Sequence, residues 1–228
     1  HTSESVGAYA DMPFVTTVVT IFMLAAGVNF ALYFFVLRRR RLSTVLGNPE
    51  FRLYIGIFVL AATVVTIDLV ARLGMPLTDA LQHATFQVAS IQTTTGFTTA
   101  DYDLWPNLSR AILLCLMLVG ACAGSTGGGF KVVRLLIVVR YSFRQVVNAF
   151  SPRSVMPLKV GGETISESVV ASIAGMGGLF ILSIVGGFLF MSALGLDAVT
   201  AFASVVATIG NVGPGLAGVG PSVDYAFI

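Results

Sequence analysis

Residues 90–99, which read SIQTTTGFTT, follow an apolar segment that is too short to cross a membrane. Residues 78–91 predict a helix of about 21 Å, at a rise of 1.5 Å per residue. Since the hydrocarbon core of a bilayer is about 30 Å thick, such a helix would end part-way through it. Irregular backbone at that depth is stable only when it is buried in protein or lines a watery cavity. The pattern therefore predicts a re-entrant pore loop whose carbonyl oxygens replace the water shell of a cation.

The composition places this loop in an integral membrane protein, with the lipid bilayer as its surroundings. The mean hydropathy is +0.89, and charged residues make up only 11% of the chain, whereas soluble domains carry about 25%. Cys115 and Cys122 lie in apolar sequence, so no disulfide framework is expected. The chain starts at His1 and has no basic region ahead of an apolar stretch, so no signal peptide is expected. Both ends read as cut ends, so we expect a piece of a longer polypeptide.

Apolar runs predict four membrane elements, at residues 12–37, 53–71, 111–141 and 168–194. The first run is expected to form one tilted helix, with Asn29 hydrogen-bonding to a neighbouring helix. The third should break at residues 120–131 and resume near Val132, because each helical glycine costs about 1 kcal/mol relative to alanine. A second short helix is expected at residues 198–209.

Helix caps are predicted at three places. Thr78 and Asp79 are expected to cap the first short helix, and Asp197 the second. Residues 164–167, which read TISE, match a capping box that would start the fourth span.

The positive charges predict the orientation of these elements. Of the 13 Lys and Arg residues, all but Arg72 and Arg110 lie on one side if both short helices enter from the other. Positive residues mark the inner side, so both loops are expected on the outer face. Four consecutive arginines at 38–41 directly follow the first span, which favours an inside marker over a nucleic-acid patch, and no nucleic-acid partner is expected.

The two halves of the chain share one plan of span, short helix and glycine loop, at residues 53–97 and 168–214. VASI at 88–91 resembles VATI at 206–209, and Gly96 aligns with Gly213 if one residue is deleted from the second copy. Both copies enter from the same side, which argues against an inverted-repeat transporter. A carbonyl filter needs about four loops around one axis, so a longer chain or a dimer is expected.

The plan divides the chain into three parts. Residues 1–41 are expected to be the end of an upstream repeat, residues 42–155 a complete span–pore–span repeat, and residues 156–228 an incomplete final repeat.

Nucleotide binding and enzymatic catalysis are disfavoured. Residues 124–131 loosely match a phosphate-binding loop, but Phe130 separates the glycines from Lys131, and Val132 stands where Ser or Thr would hold magnesium. His1 and His83 are isolated, and no set of residues with catalytic spacing accompanies them. The chain is therefore not expected to be an enzyme.

Three motifs closely resemble the membrane subunit of the Trk/Ktr-type potassium uptake systems, on the Trk side. They are TTTGFTTAD at 93–101, GACAGSTGGG at 120–129 and NVGPG at 211–215. The resemblance implies an all-α integral membrane protein built from repeated span–pore helix–filter loop–span units with re-entrant pore loops. It further implies four such repeats in one polypeptide, a homodimer, a cytosolic nucleotide-binding regulatory subunit, and a place in the inner (plasma) membrane.

The resemblance also assigns the candidate site. Potassium, the transported ion, would be coordinated by backbone carbonyls, and no covalent cofactor is implied. The implied filter residues are Thr94, Thr95, Gly96, Asn211, Val212 and Gly213. The implied gating loop comprises Gly120, Gly124, Ser125, Thr126, Gly127, Gly128, Gly129 and Lys131, where Lys131 either contacts the loop's acceptors or lies at the inner interface.

The second loop departs from the Thr-Thr-Gly pattern, so the register of its residues is open by one position. Two other functions stay open as well: passage of sodium or another monovalent cation, and a pore-less membrane scaffold that binds a cytosolic partner.

Overall fold

The computed structural model describes residues 5–40, 43–150 and 158–223, and almost all of its regular structure is helical. The helices are α1 (Pro13–Ala26), α2 (Phe30–Arg39), α3 (Ser43–Leu46), α4 (Pro49–Leu73), α5 (Leu77–Gln92), α6 (Asn107–Leu118), α7 (Val132–Phe150), α8 (Glu167–Ala193) and α9 (Ala198–Ile209). Short 3-10 turns occupy Gly7–Tyr9, Tyr102–Leu104 and Ala217–Val219. Strands β1 (Lys159–Val160) and β2 (Glu163–Thr164) form one antiparallel pair.

Two helices within the described ranges, α4 and α8, are long and apolar enough to cross a membrane. The pair α1 and α2 would make a third span if it is taken as one broken element. The two short helices α5 and α9 each follow one of the long helices and pack against it. These apolar helices agree with the expected helical membrane protein.

The prediction of one tilted helix over residues 12–37 is wrong, because α1 and α2 are bent by 90° at residues 27–29. Asn29 starts the second helix, since its side-chain oxygen accepts the N–H of Ala31 at 2.9 Å. The carbonyl of Gly27 is turned out of the helix and accepts the N–H of Cys122 at 3.0 Å. A partner elsewhere in the chain therefore satisfies the backbone where the helix breaks.

Two of the predicted caps are also wrong. Helix α5 begins at Leu77, so Thr78 and Asp79 lie inside its first turn and cap nothing. Thr164 belongs to β2, which leaves the predicted capping box unformed. The carboxylate of Glu167 instead pairs with Arg144 at 2.8 Å.

The third predicted cap is confirmed. Asp197 accepts the N–H groups of Val199 and Thr200 at 3.1 Å each. The Thr200 side chain and these N–H groups lower the pKa of Asp197 below its usual value. The predicted resumption of the third element at Val132 is confirmed by the start of α7.

The largest apolar cluster lies where α4, α5, α6 and α9 meet. Its members include fully buried Val65, Leu69, Leu113 and Val206. The last seven residues of α5, from Phe86 to Gln92, are all buried. Because its C-terminal half is enclosed, α5 delivers the loop that follows it to a fixed place inside the molecule.

The predicted domain boundaries at 41/42 and 155/156 lie outside the described residues. The same holds for Arg41 and Arg153, two of the charges that predicted the orientation.

Candidate functional site

The first loop leaves α5 through a tight reversal of the backbone. Thr93 ends the helix, and the N–H of Thr95 turns back to the carbonyl of Ser90 at 2.9 Å. Thr94 and Gly96 both have left-handed backbone, with φ of +55° and +75°. Glycine adopts this conformation without strain, whereas threonine does so only at a cost.

The second loop has the same backbone arrangement, 117 residues further along at every position. Asn211 and Gly213 have φ of +59° and +106°, matching Thr94 and Gly96. The N–H of Val212 turns back to the carbonyl of Ala207 at 2.9 Å, as Thr95 does to Ser90. No residue is missing from the second copy, so the one-residue deletion predicted from the VASI and VATI motifs is wrong. Backbone hydrogen bonds set the register here. In that register the VASI and VATI motifs are displaced by one residue relative to each other.

The two loops touch each other. A Cβ atom on Gly96 would collide with the carbonyl oxygen of Val212. The structure thus brings residues 94–96 and 211–213 together, although more than a hundred residues separate them in the chain. An open cavity of about 360 Å³ borders the second loop and is lined by Ala207, Thr208, Asn211, Val212 and Gly213.

Polar side chains hold the first loop from behind, a role that no sequence pattern had indicated. The Ser90 hydroxyl donates to the carbonyl of Phe97 at 2.6 Å, and the Gln87 amide reaches the same carbonyl at 3.4 Å. Both side chains are fully buried. The positions that match Ser90 and Phe97 in the second loop are Ala207 and Pro214, so that loop has no hydroxyl at the position equivalent to Ser90.

The glycine-rich segment at 120–131, called the glycine loop below, lies directly against both reversals. The N–H of Gly128 donates to the Thr94 hydroxyl at 2.7 Å. A Cβ on Gly128 would lie 2.6 Å from the Cβ of Asn211, and one on Gly127 would lie 3.1 Å from the carbonyl of Thr93. Only residues without side chains allow the backbones to approach this closely.

The glycine loop also closes on itself. Its ends meet through a bridge between Val119 and Phe130, and Gly120 donates its N–H to Phe130 at 3.1 Å. Inside the loop, the Ser125 hydroxyl donates to the carbonyl of Cys122 at 2.6 Å. The Lys131 ammonium donates to the carbonyl of Gly127. Of the two positions that the sequence allowed for Lys131, the structure therefore shows contact with the loop's own acceptors.

The far side of the glycine loop rests on the bend between α1 and α2 and on the start of α4. Phe30 donates its N–H to the carbonyl of Gly124 at 3.1 Å, and Thr126 donates to Ala26 at 3.3 Å. The Glu50 carboxylate accepts the N–H of Ala123 at 2.6 Å. Glu50 could not be singled out from the sequence, because an acid in the first turn of a helix is an ordinary feature.

Beyond the two loops, the chain segments that follow them are joined to each other. The Asp103 carboxylate accepts the N–H of Ala217 at 3.1 Å and pairs with Arg110 at 2.8 Å. Asp101 accepts the hydroxyl of Ser222 at 2.9 Å. Together with the Gly96–Val212 approach, these contacts hold the two halves in one arrangement.

Comparison with known proteins gives consistent matches along almost the whole chain. The family described as "TrkH: Cation transport protein" matches residues 1–224. The Trk system potassium uptake protein TrkH of Salmonella typhimurium is 38% identical over 213 residues, which are 93% of this chain and 44% of that protein. The Trk system potassium uptake protein TrkG of Escherichia coli K12 is 32% identical over 214 residues, again 93% of this chain and 44% of that protein.

A solved structure agrees with these sequence matches. The crystal structure of the potassium transporter TrkH from Vibrio parahaemolyticus superposes with a TM-score of 0.88 at 33% identity, covering 96% of this chain and 47% of that one. The chain therefore spans a little under half the length of the relatives that it matches.

Proposed function

The chain belongs to the TrkH family of cation transport proteins, a family of transporters rather than enzymes, and we propose on this basis that it forms part of a potassium-conducting pore. In this proposal the loops at 94–96 and 211–213 are two segments of one selectivity filter. Potassium is the transported ion and is held by backbone carbonyls, as in other filters of this kind.

The observation that carries the proposal is the repeated backbone of the two loops. The same pair of left-handed residues follows a short helix in each copy, and the copies touch at Gly96 and Val212. Different side chains on one backbone are expected where main-chain carbonyls do the binding. The C-terminal ends of α5 and α9 precede the loops and contribute partial negative charge that favours a cation.

Two loops do not surround an ion, so the pore needs further segments of a longer chain. We assign residues 1–41 to the end of an upstream repeat, residues 42–155 to one complete repeat, and residues 156–228 to an incomplete last repeat. Each repeat is a span–pore helix–filter loop–span unit with a re-entrant loop. The full-length protein is then a multi-pass protein of the inner membrane with its filter loops on the outer side. It works as a homodimer with a cytosolic nucleotide-binding subunit.

The glycine loop is proposed as the gate of this pore. It lies against Thr93 and Thr94 on one side and Asn211 on the other, where it contacts both candidate filter segments. Its glycines permit backbone movement that a regular helix would resist. In this assignment Gly120, Gly124, Ser125, Thr126, Gly127, Gly128, Gly129 and Lys131 belong to the gate.

Potassium uptake by the full-length protein tests the proposal. Expression in cells that lack their own potassium uptake systems is expected to restore growth at low potassium concentration. Purified protein in liposomes is expected to carry potassium faster than sodium, because carbonyl filters distinguish the two ions. The measurement is the initial rate of flux of each ion under a fixed gradient.

Two results would contradict the proposal, and each points to a different function. Equal or faster sodium flux would favour passage of another monovalent cation. The absence of any ion flux from well-folded protein, with binding of a cytosolic partner intact, would favour a pore-less scaffold.

Replacing Ser90 by alanine is expected to lower the potassium-to-sodium flux ratio several-fold without loss of expression. The Phe97 carbonyl loses its shorter hydrogen bond and becomes free to reorient toward the ion path. A hydrogen bond between neutral groups contributes about 1 kcal/mol, which corresponds to roughly fivefold in an equilibrium. The ratio would be measured in liposomes from initial rates.

Ser204→Ala is the matched control for this prediction. Ser204 is as buried as Ser90 and also lies in a short helix, but its hydroxyl donates to Ala201 within the same helix. An equal loss of selectivity in both variants would show that the hydrogen bond from Ser90 to Phe97 has no special role.

A further inference from the structure

Glu50 is a buried acid whose role neither the filter nor the glycine loop's own bonds explain. Only 6% of its surface is exposed, although it lies in the first turn of α4. A carboxylate at that depth is costly unless hydrogen bonds or opposite charge compensate for its lost hydration. The groups that contact the Glu50 carboxylate therefore indicate its role.

Those partners come from both ends of the glycine loop. The carboxylate accepts the N–H of Ala123 at 2.6 Å, inside the loop. The N–H of Val133, in the first turn of α7 where the loop ends, also interacts favourably with the ionised carboxylate. One side chain of α4 thus bonds to the inside of the loop and interacts with its end, ten residues further along.

Charge strengthens this attachment. Lys131 interacts electrostatically with Glu50 and donates its own hydrogen bond to Gly127 within the loop. The first turn of α7 contributes the positive end of a helix dipole to the same carboxylate. Hydrogen bonds to an ionised acceptor are about twice as strong as neutral ones.

The bend between α1 and α2 supplies the third point of attachment. The Asn29 side chain interacts favourably with the Glu50 carboxylate and lies close to Gly124. The carbonyl of Gly27, turned out at the bend, accepts the N–H of Cys122. Glu50 and the bend together bind three consecutive residues of the loop, 122–124.

We propose that Glu50 is a positioning residue that holds the glycine loop beneath the two candidate filter segments and thereby keeps the pore closed. This inference rests on the proposed function of the loop as a gate. Opening then requires the loop to break its bond from Ala123 to Glu50, and the cytosolic partner has to supply that free energy.

Replacement of Glu50 by alanine in the full-length protein tests this role. Potassium flux without the cytosolic partner is expected to rise on the order of tenfold. Loss of one hydrogen bond to a charged group changes an equilibrium by about this factor. The potassium-to-sodium ratio is expected to stay unchanged. Glu50→Gln keeps one acceptor oxygen but loses the charge, so its flux should lie between those of the wild type and Glu50→Ala.

A second measurement follows the loop itself. Cys122 is buried in the loop, whereas Cys115 is exposed on α6. With every cysteine except Cys122 replaced by serine, a small thiol reagent is expected to label Cys122 faster in both Glu50 variants than in the parent. Glu167→Gln is the matched control, since that acid also starts a span but pairs with Arg144, and it should leave flux and labelling unchanged.

The outcomes separate this inference from the proposed function. A wild-type protein that carries no potassium even with its cytosolic partner, and whose Glu50 variants are also inactive, contradicts the pore. Alternatively, the wild type is active while Glu50→Ala and Glu50→Gln leave the partner-free flux or the labelling rate of Cys122 unchanged. That result overturns the role of Glu50 alone. A purely structural role would lower thermal stability and flux together, and it would likewise overturn the inference.

Discussion

Replacing Gly96 by serine is expected to abolish the preference of the full-length protein for potassium over sodium. Gly96 has φ of +75°, a conformation in which other L-residues carry about 1–2 kcal/mol of strain. A Cβ at this position would also collide with the carbonyl oxygen of Val212 in the other loop. The substitution therefore displaces carbonyls in both candidate filter segments at once.

The measurement is potassium and sodium uptake in cells that lack their own uptake systems, with the amount of protein in the membrane determined in parallel. Gly74→Ala is the matched control, because Gly74 has a similar φ of +63° but a Cβ there would meet nothing within 4 Å. It should carry the backbone strain without the collision and keep its selectivity. If Gly96→Ser left the ion preference intact at normal expression, residues 94–96 would not be the selectivity element.

Replacing Gly128 by alanine is expected to reduce potassium flux by an order of magnitude or more. The new methyl group would lie 2.6 Å from the Cβ of Asn211 and 2.9 Å from the carbonyl of Gly210. The loop has little freedom to retreat, because the N–H of Gly128 is bonded to the Thr94 hydroxyl. Overpacking of this kind typically costs about 1–3 kcal/mol, and here the displaced groups belong to the candidate filter.

Flux in liposomes and thermal unfolding of the purified protein measure this effect. Gly178→Ala provides the control, since Gly178 lies in α8 with open space around it. There, alanine should leave flux unchanged and stabilise the helix by about 0.5–1 kcal/mol. Normal flux from Gly128→Ala would show that the glycine loop does not need its close approach to the second filter segment.

Local features of the sequence were enough to predict several elements. The glycines at 127–129 predicted the break in the third element, because such a run removes helix propensity within a few residues. The cap at Asp197 followed from side-chain chemistry next to the helix start. The short lengths of α5 and α9 followed from the apolar runs and their glycine ends. In each case the cause lies close in sequence to its effect.

Features that depend on distant partners could not be predicted in this way. The run at 12–37 carries no proline or charge at its centre, and the Gly27 carbonyl at the bend finds its donor in the distant N–H of Cys122. Ser90 looks like any hydroxyl in a polar run until Phe97 folds back onto it. The pairing of Gly96 with Gly213 agrees with the backbone, but the pairing of VASI with VATI is wrong by one residue, because similar residue types do not reveal which backbone hydrogen bonds form.

Four N–H groups of the glycine loop have acceptors that precede the loop in the chain. Cys122, Ala123, Thr126 and Gly128 donate to acceptors on Gly27, Glu50, Ala26 and Thr94, all of which precede the loop. A ribosome delivers the acceptors first, so these donors find partners as soon as they enter the bilayer. Unpaired backbone is costly in hydrocarbon, and synthesis from the N-terminus avoids that state for a broken helix.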